Sequence, residues 1–187
     1  MEQQEVLHII KRIKKGDKDA FALLIDAHKN MVYSLCLKMT RSAEDAEEIA
    51  QDSFIKAYQG IHTFKQKAKF STWLYQITYF TAINFLRKNT ISTTTDYPED
   101  LIESDETIIS SIQQSEREHY INKALSFLEP TERAIITLFY LEEHSIKEIS
   151  EITTLTESNV KVKIHRTRKK IYSILNKLLK NELNTLV

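Results

Sequence analysis

The sequence predicts an all-α protein: two small helical domains joined by a flexible acidic linker, the second of them a helix-turn-helix. Three observations predict it. Only two glycines and two prolines occur in 187 residues, too few for the turns that a strand-rich fold requires. Apolar residues recur at helical spacing on both sides of the chain's middle. Charge is segregated, although lysine and arginine balance aspartate and glutamate at 26 each. Lys56 to Lys88 holds six basic residues and no acid, and Asn159 to Lys180 holds eight and no acid. Between them, Ser92 to Glu118 carries eight acids against Arg117 alone. Two basic zones and an acidic strap point to nucleic acid more than a net charge of zero does.

The first domain spans 1–88. Val6, Ile9, Ile10 and Ile13 define a helix that Gly16 ends, and a second helix from near Asp19 buries Phe21, Leu24 and Ile25 and continues through Met39. Ser42 and Asp45 stand at capping spacing. The helix they open turns Ala46, Ile49, Ala50, Ser53 and Ala57 inward, leaving Glu44, Glu48, Gln51, Asp52 and Ile55 outside. A basic loop, His62 to Phe70, leads to a helix capped by Ser71 and bearing Trp73, Leu74, Ile77, Phe80, Ile83 and Phe85.

Residues 89–114 form the linker, rich in acids and lacking helical periodicity, so they bury too little to order themselves. The second domain spans 115–187. Tyr120, Ile121, Ala124, Leu125 and Leu128 make one stripe, and Pro130 suits the first turn of the next helix. Ser145 and Glu148 form a capping box before a short helix. The turn Thr153 to Thr156 follows, then a long basic helix with Val160, Ile164, Ile171, Leu175 and Leu178 inward. Short helix, tight turn and longer helix is helix-turn-helix spacing.

Several function classes are excluded. Cys36 is the only cysteine and lies in an apolar run, so it reads as core rather than redox site or metal ligand. The six histidines are scattered without ligand spacing, and Gly16 and Gly60 cannot build a phosphate loop. Neither catalysis nor a cofactor is expected. The acidic, polar start is unlike a signal peptide, and no apolar run is long enough to span a bilayer, so a cytoplasmic location without membrane insertion is expected.

The chemistry concentrates at two places. On the last helix, Ser158, Asn159, Lys161, Val162 and Lys163 are placed to reach base edges in a major groove. Arg166, Arg168 and Lys169 lie further along and suit phosphates. In the first domain, His62, Lys65, Lys67, Lys69, Asn84, Arg87 and Lys88 frame many aromatic rings, an arrangement that suits single-stranded DNA. Phe64, Tyr79 and Phe80, near the loop, are the rings expected to touch a base. Trp73, Phe85 and Phe70 are expected in the core.

Three stretches resemble the extracytoplasmic-function (ECF) sigma factors of bacterial RNA polymerase. Asp45-Ala46-Glu47-Glu48-Ile49-Ala50-Gln51-Asp52-Ser53-Phe54-Ile55-Lys56-Ala57 is similar to the family's polymerase-binding helix. Phe70-Ser71-Thr72-Trp73-Leu74-Tyr75-Gln76-Ile77, ending at Asn84-Phe85-Leu86-Arg87-Lys88, resembles the segment that opens and reads the promoter −10 element. Leu128-Glu129-Pro130-Thr131-Glu132-Arg133, with Ile146 to Ser150 and Asn159 to Arg166, resembles the −35-binding domain. The resemblance implies that Asp45, Glu48, Gln51, Asp52 and Ile55 contact core polymerase, and that the helix from Ser158 enters the −35 major groove. The loop from His62 to Thr72 would hold a base flipped from the −10 strand. The acidic linker would thread into channels of the core enzyme built for nucleic acid. It also implies a monomer that directs a specific regulon and is restrained by an anti-sigma factor. Phe80 stands where the family usually has Asn, and Leu155-Thr156-Glu157-Ser158 replaces a turn that frequently contains Gly. The helix-turn-helix alone would equally suit a dimeric repressor or activator, and a sigma-like protein-interaction module is a further reading.

Overall fold

The computed structural model describes residues 1–89 and 114–183. The linker expectation falls almost wholly on 90–113, outside the described residues. Among the described residues eight α-helices follow in order: α1 Gln3–Lys14, α2 Phe21–Thr40, α3 Ala43–Gly60, α4 Phe70–Asn89, α5 Gln114–Ser126, α6 Pro130–Ile136, α7 Ile146–Thr153 and α8 Glu157–Leu183.

Local chemistry sets most boundaries. Gly16 takes φ +106° after α1, a left-handed conformation that costs glycine least. The Arg12 guanidinium then pins the turn by donating to Asp17 at 2.9 and 2.7 Å. The Ser42 hydroxyl accepts from the Asp45 N–H at 3.2 Å and caps α3. Pro130 occupies the first turn of α6, which continues as a π-helical turn, Thr137–Leu141. Ser145 and Glu148 form the reciprocal box that opens α7. Thr154 takes the left-handed conformation, φ 59°, in the turn between α7 and α8, and the Thr156 hydroxyl accepts from the Asn159 N–H at the start of α8.

Three expectations are corrected. Helix α4 starts at Phe70, so Ser71 lies inside it and does not cap it. The Phe70 ring packs against Phe64, Trp73 and His28, with centroids 5.4–5.7 Å away, and this burial draws Phe70 into the helix. Ile121 is 45% exposed, because the cluster it was expected to join starts one turn later, at Leu125, with Leu128 and Ile136. On α8 the buried face runs through Val160, Ile164, Thr167 and Ile174, while Ile171, Leu175 and Leu178 are half-buried. The small threonine lets the neighbouring helices approach, and the stripe keeps a three-and-four spacing through it.

The two groups of helices share one core. Leu35, Met39, Leu74 and Ala82 belong to the same buried cluster as Ile135, Leu138, Ile149 and Ile152. Polar contacts cross the same seam. Arg133, 7% exposed, donates to the carbonyl of Met39 at 2.7 Å and to that of Leu128 at 2.8 Å. Burial, with Arg41 nearby, pulls its pKa down to about 10, so it is still a cation at neutral pH. The Tyr75 hydroxyl donates to Glu142 at 2.7 Å, and Ser34 donates to the other oxygen of that carboxylate at 3.3 Å. Burial pushes the Tyr75 phenol up, and the neighbouring carboxylate pushes it further, so it remains a donor.

Two outcomes follow from these contacts. Arg133→Ala strands buried carbonyls and leaves a cavity, each stranded acceptor costing about 1–3 kcal/mol. Urea unfolding should therefore show a loss of about 3 kcal/mol, and a loss within error of zero would contradict the role given to this side chain. Burial pushes Glu148 up, but the Ser145 N–H and hydroxyl and Lys69 together outweigh it and hold the carboxyl at about 2, below its ordinary 4.5. A carboxyl depressed in the folded state stabilises above the unfolded pKa and stops doing so as pH falls through the folded one. Acid titration should lose this contribution between pH 4.5 and about 2, and Glu148→Gln should flatten the loss in that window.

Candidate nucleic-acid interface

Helix α3 presents its acidic face to solvent as the spacing predicts. Ala46, Ile49, Ser53 and Ala57 are buried. Buried Ser53 meets no orphan penalty, because its hydroxyl donates to the Ile49 carbonyl at 2.7 Å. Glu48, Gln51 and Asp52 are exposed, and Ile55 is 54% exposed beside them. Asp45 is half-buried at the capped end. An exposed isoleucine among carboxylates and an amide offers a partner protein both an apolar anchor and polar specificity.

The opposite edge of α3 meets α4 in an open cleft of about 440 Å³, lined by Lys56, Gly60, Thr63, Trp73, Gln76, Ile77, Phe80, Thr81 and Asn84. Trp73, Ile77, Phe80 and Asn84 recur every three or four residues, so α4 supplies one continuous wall. Lys56 donates to the Thr81 hydroxyl at 3.2 Å, which fixes a cation where the helices meet. Phe80 is 37% exposed, and Trp73 is half-buried. Two π surfaces, a cation, two side-chain amides and two hydroxyls in one cleft suit an unstacked base, whose face stacks and whose edge exchanges hydrogen bonds.

Of the other residues expected here, His62, Lys65, Lys67, Lys69, Asn84, Arg87 and Lys88 are all exposed. Two aromatic expectations are corrected. Phe64 is 4% and Tyr79 5% exposed. Phe64 packs against Phe70 and Trp73, with centroids 5.7 and 5.4 Å away. Tyr79 lies edge-on to Phe80, 5.1 Å away. A loop-adjacent ring can turn inward when a neighbouring cluster receives it, and here Trp73 takes the cleft position instead. Lys56, Gln76 and Trp73 are the residues the sequence reading missed at this site. The spacing of Trp73, Gln76, Phe80 and Asn84 was the available signal.

On α8, Ser158, Asn159, Lys161, Val162, Arg166, Arg168 and Lys169 are exposed, and Lys163 is half-buried. With Val160 and Ile164 buried beneath it, the helix offers a free polar and basic face at its N-terminal end. That end is where a recognition helix approaches base edges. Val162, 42% exposed, provides an apolar contact of the kind a thymine methyl accepts.

Comparison with known proteins agrees with this geometry. Residues 24–91 match sigma-70 region 2 and residues 118–171 match sigma-70 region 4. The chain is 33% identical over 183 residues to the ECF RNA polymerase sigma factor SigW of Bacillus subtilis, covering 90% of this chain and 96% of that protein. It is 29% identical over 189 residues to the RNA polymerase sigma-H factor of Pseudomonas aeruginosa, covering 95% of this chain and 97% of that one. Among solved structures, CnrH in complex with the cytosolic domain of CnrY shares the fold with a TM-score of 0.66 at 18% identity, over 90% of this chain and 96% of that one. The sigma factor RpoE of Bartonella quintana, solved with the anti-sigma factor NepR, shares it with a TM-score of 0.62 at 17% identity, over 83% and 96%. The chain belongs to the ECF sigma factors, a family of RNA polymerase transcription-initiation factors.

Proposed function

We propose that the chain binds core RNA polymerase through the outer face of α3, holds a −10 base in the cleft between α3 and α4, and reads the −35 duplex with α8. It thereby directs initiation at a particular set of promoters and helps separate the strands at −10. The observation that carries this reading is the cleft, where Trp73 and Phe80 meet Lys56, Gln76 and Asn84. A helix-turn-helix repressor has no use for it. The work is binding rather than catalysis, in the cytoplasm and as a monomer on the enzyme. The Bartonella relative was solved with an anti-sigma factor, which supports a restraining partner of that class here.

Energetics fit a division of labour. Base flipping costs a few kcal/mol of unstacking, offset by contacts inside the pocket, while the lysines and arginines of α8 supply salt-dependent affinity. Promoter choice then rests on both sites.

Run-off transcription by purified core polymerase on fragments of the source genome should give discrete new start sites when this chain is added. Replacing both Gln51 and Asp52 by Ala should cut their yield by roughly tenfold or more, a loss of about 1.4 kcal/mol in core binding. Tight duplex binding without polymerase, and no start sites, would overturn the reading. Phe80→Asn should shift the preferred −10 base in a randomised promoter library without weakening core binding, and an unchanged preference would remove Phe80 from the pocket's selectivity.

A further inference from the structure

A second cavity, of about 270 Å³, lies between the end of α1, the Gly16 turn and the start of the basic loop. Ile13, Tyr58 and Ile61 give it an apolar lining, Lys14, Lys18 and His62 border it, and no acid does. Tyr58 and Gln59 line this groove while Lys56 and Gly60 line the cleft, so the last turn of α3 is the wall between the two. Lys11 to Lys18 holds five bases and one acid. That acid, Asp17, is already engaged by Arg12 at 2.7 Å and by the Ala20 N–H at 3.2 Å. Among the described residues Lys14, Lys15 and Lys18 have no carboxylate partner. Lys14 donates to the carbonyls of His62 and Phe64 at 3.4 and 3.0 Å, which ties the basic loop to the groove. An ammonium has three donors, so one is left for a ligand.

We propose that this groove is a second anchor for the separated −10 strand, taking a backbone phosphate on Lys18 and the remaining donor of Lys14, with the attached sugar against Tyr58 and Ile61. This rests on the proposed sigma function. Size and charge select the occupant. The groove is smaller than the roughly 300–1,000 Å³ that a drug-sized ligand fills, so it takes one small group, and its cations ask for an anion. An acidic partner protein would need a wider apolar surface than it offers. Position selects the strand. A helix is about 10–12 Å across, about three stacked nucleotide steps at 3.4 Å each. A strand leaving the cleft therefore reaches the groove within about three nucleotides. Duplex DNA, with a persistence length of about 150 base pairs, cannot turn round a helix end in that distance. The duplex runs upstream from −10 toward −35, so the nucleotides that reach the groove are those downstream of the flipped base. A strand held on both sides of α3 is kept from pairing again, by contacts that carry no sequence information.

Lys18 is the residue to change, because it is exposed and its side chain makes no hydrogen bond or ion pair among the described residues. The measurement is the affinity of the chain, bound to core polymerase, for promoter DNA left unpaired through and beyond −10, followed by fluorescence anisotropy over a range of salt. Each phosphate contact on a single strand contributes about 0.7 to the slope of log affinity against log salt. Lys18→Ala should lower that slope by about 0.7, Lys18→Arg should keep it, and both should assemble with core polymerase as the unaltered chain does. On DNA whose unpaired tract ends at the flipped base, Lys18→Ala should match the unaltered chain. An unchanged slope for Lys18→Ala, a loss that persists on the shortened tract, or a defect confined to assembly with core polymerase overturns the proposal. If the unaltered chain with core polymerase does not bind the unpaired DNA at all, the sigma reading falls, and the proposal with it.

Discussion

The Arg133 guanidinium ties the last turn of α2 to the turn between α5 and α6, bridging 94 residues of sequence from Met39 to Arg133. It donates to the carbonyls of Met39 and Leu128 at under 3 Å. The Met39 carbonyl lies in the last turn of α2, where carbonyls have no helical partner and the helix dipole is negative. Burying a cation costs several kcal/mol, and charge-assisted bonds return about 1.5–3 kcal/mol each. The arrangement is therefore close to neutral in total and severe in its failure. What it provides is registry: its fixed fork sets α6 against the end of α2, while α7 meets α4 through contacts of its own.

That registry makes the apolar seam continuous. Ile135, Leu138, Ile149 and Ile152 are fully buried in a cluster with first-domain residues. At 1.5–3 kcal/mol each, burial of these four alone contributes about 6–12 kcal/mol. The first-domain side chains facing them add to that, so thermal fluctuation leaves the seam closed nearly all the time. Two of the buried threonines keep their hydroxyls paired within their own helices. Thr78 and Thr153 each donate to a carbonyl one turn back, at 2.9 and 2.7 Å.

What could be read in the sequence was local. The capping of α3 by Ser42 and of α7 by Ser145 depends on residues three apart, so both were legible, as was the outer face of α3. The all-helical class and the helix-turn-helix followed from period and turn chemistry. Depth was not legible. Phe64 and Tyr79 lie near a polar loop, yet a cluster contributed by α2 and α4 receives the first and the packed seam covers the second. Trp73 has the size and spacing of a core residue, but its helix face turns toward the cleft. Lys56 looked like one more surface lysine until Thr81, 25 residues on, held it at the cleft. The seam itself was invisible, because nothing in a capping box at Ser145 says that Glu148 also meets Lys69.

Small-angle X-ray scattering of the free, full-length chain tests the account most directly. A closed chain predicts a radius of gyration of about 16–18 Å, unchanged on dilution and increased by Arg133→Ala. A value near 25 Å for the unaltered chain, the size expected of two small bodies held apart, would contradict it.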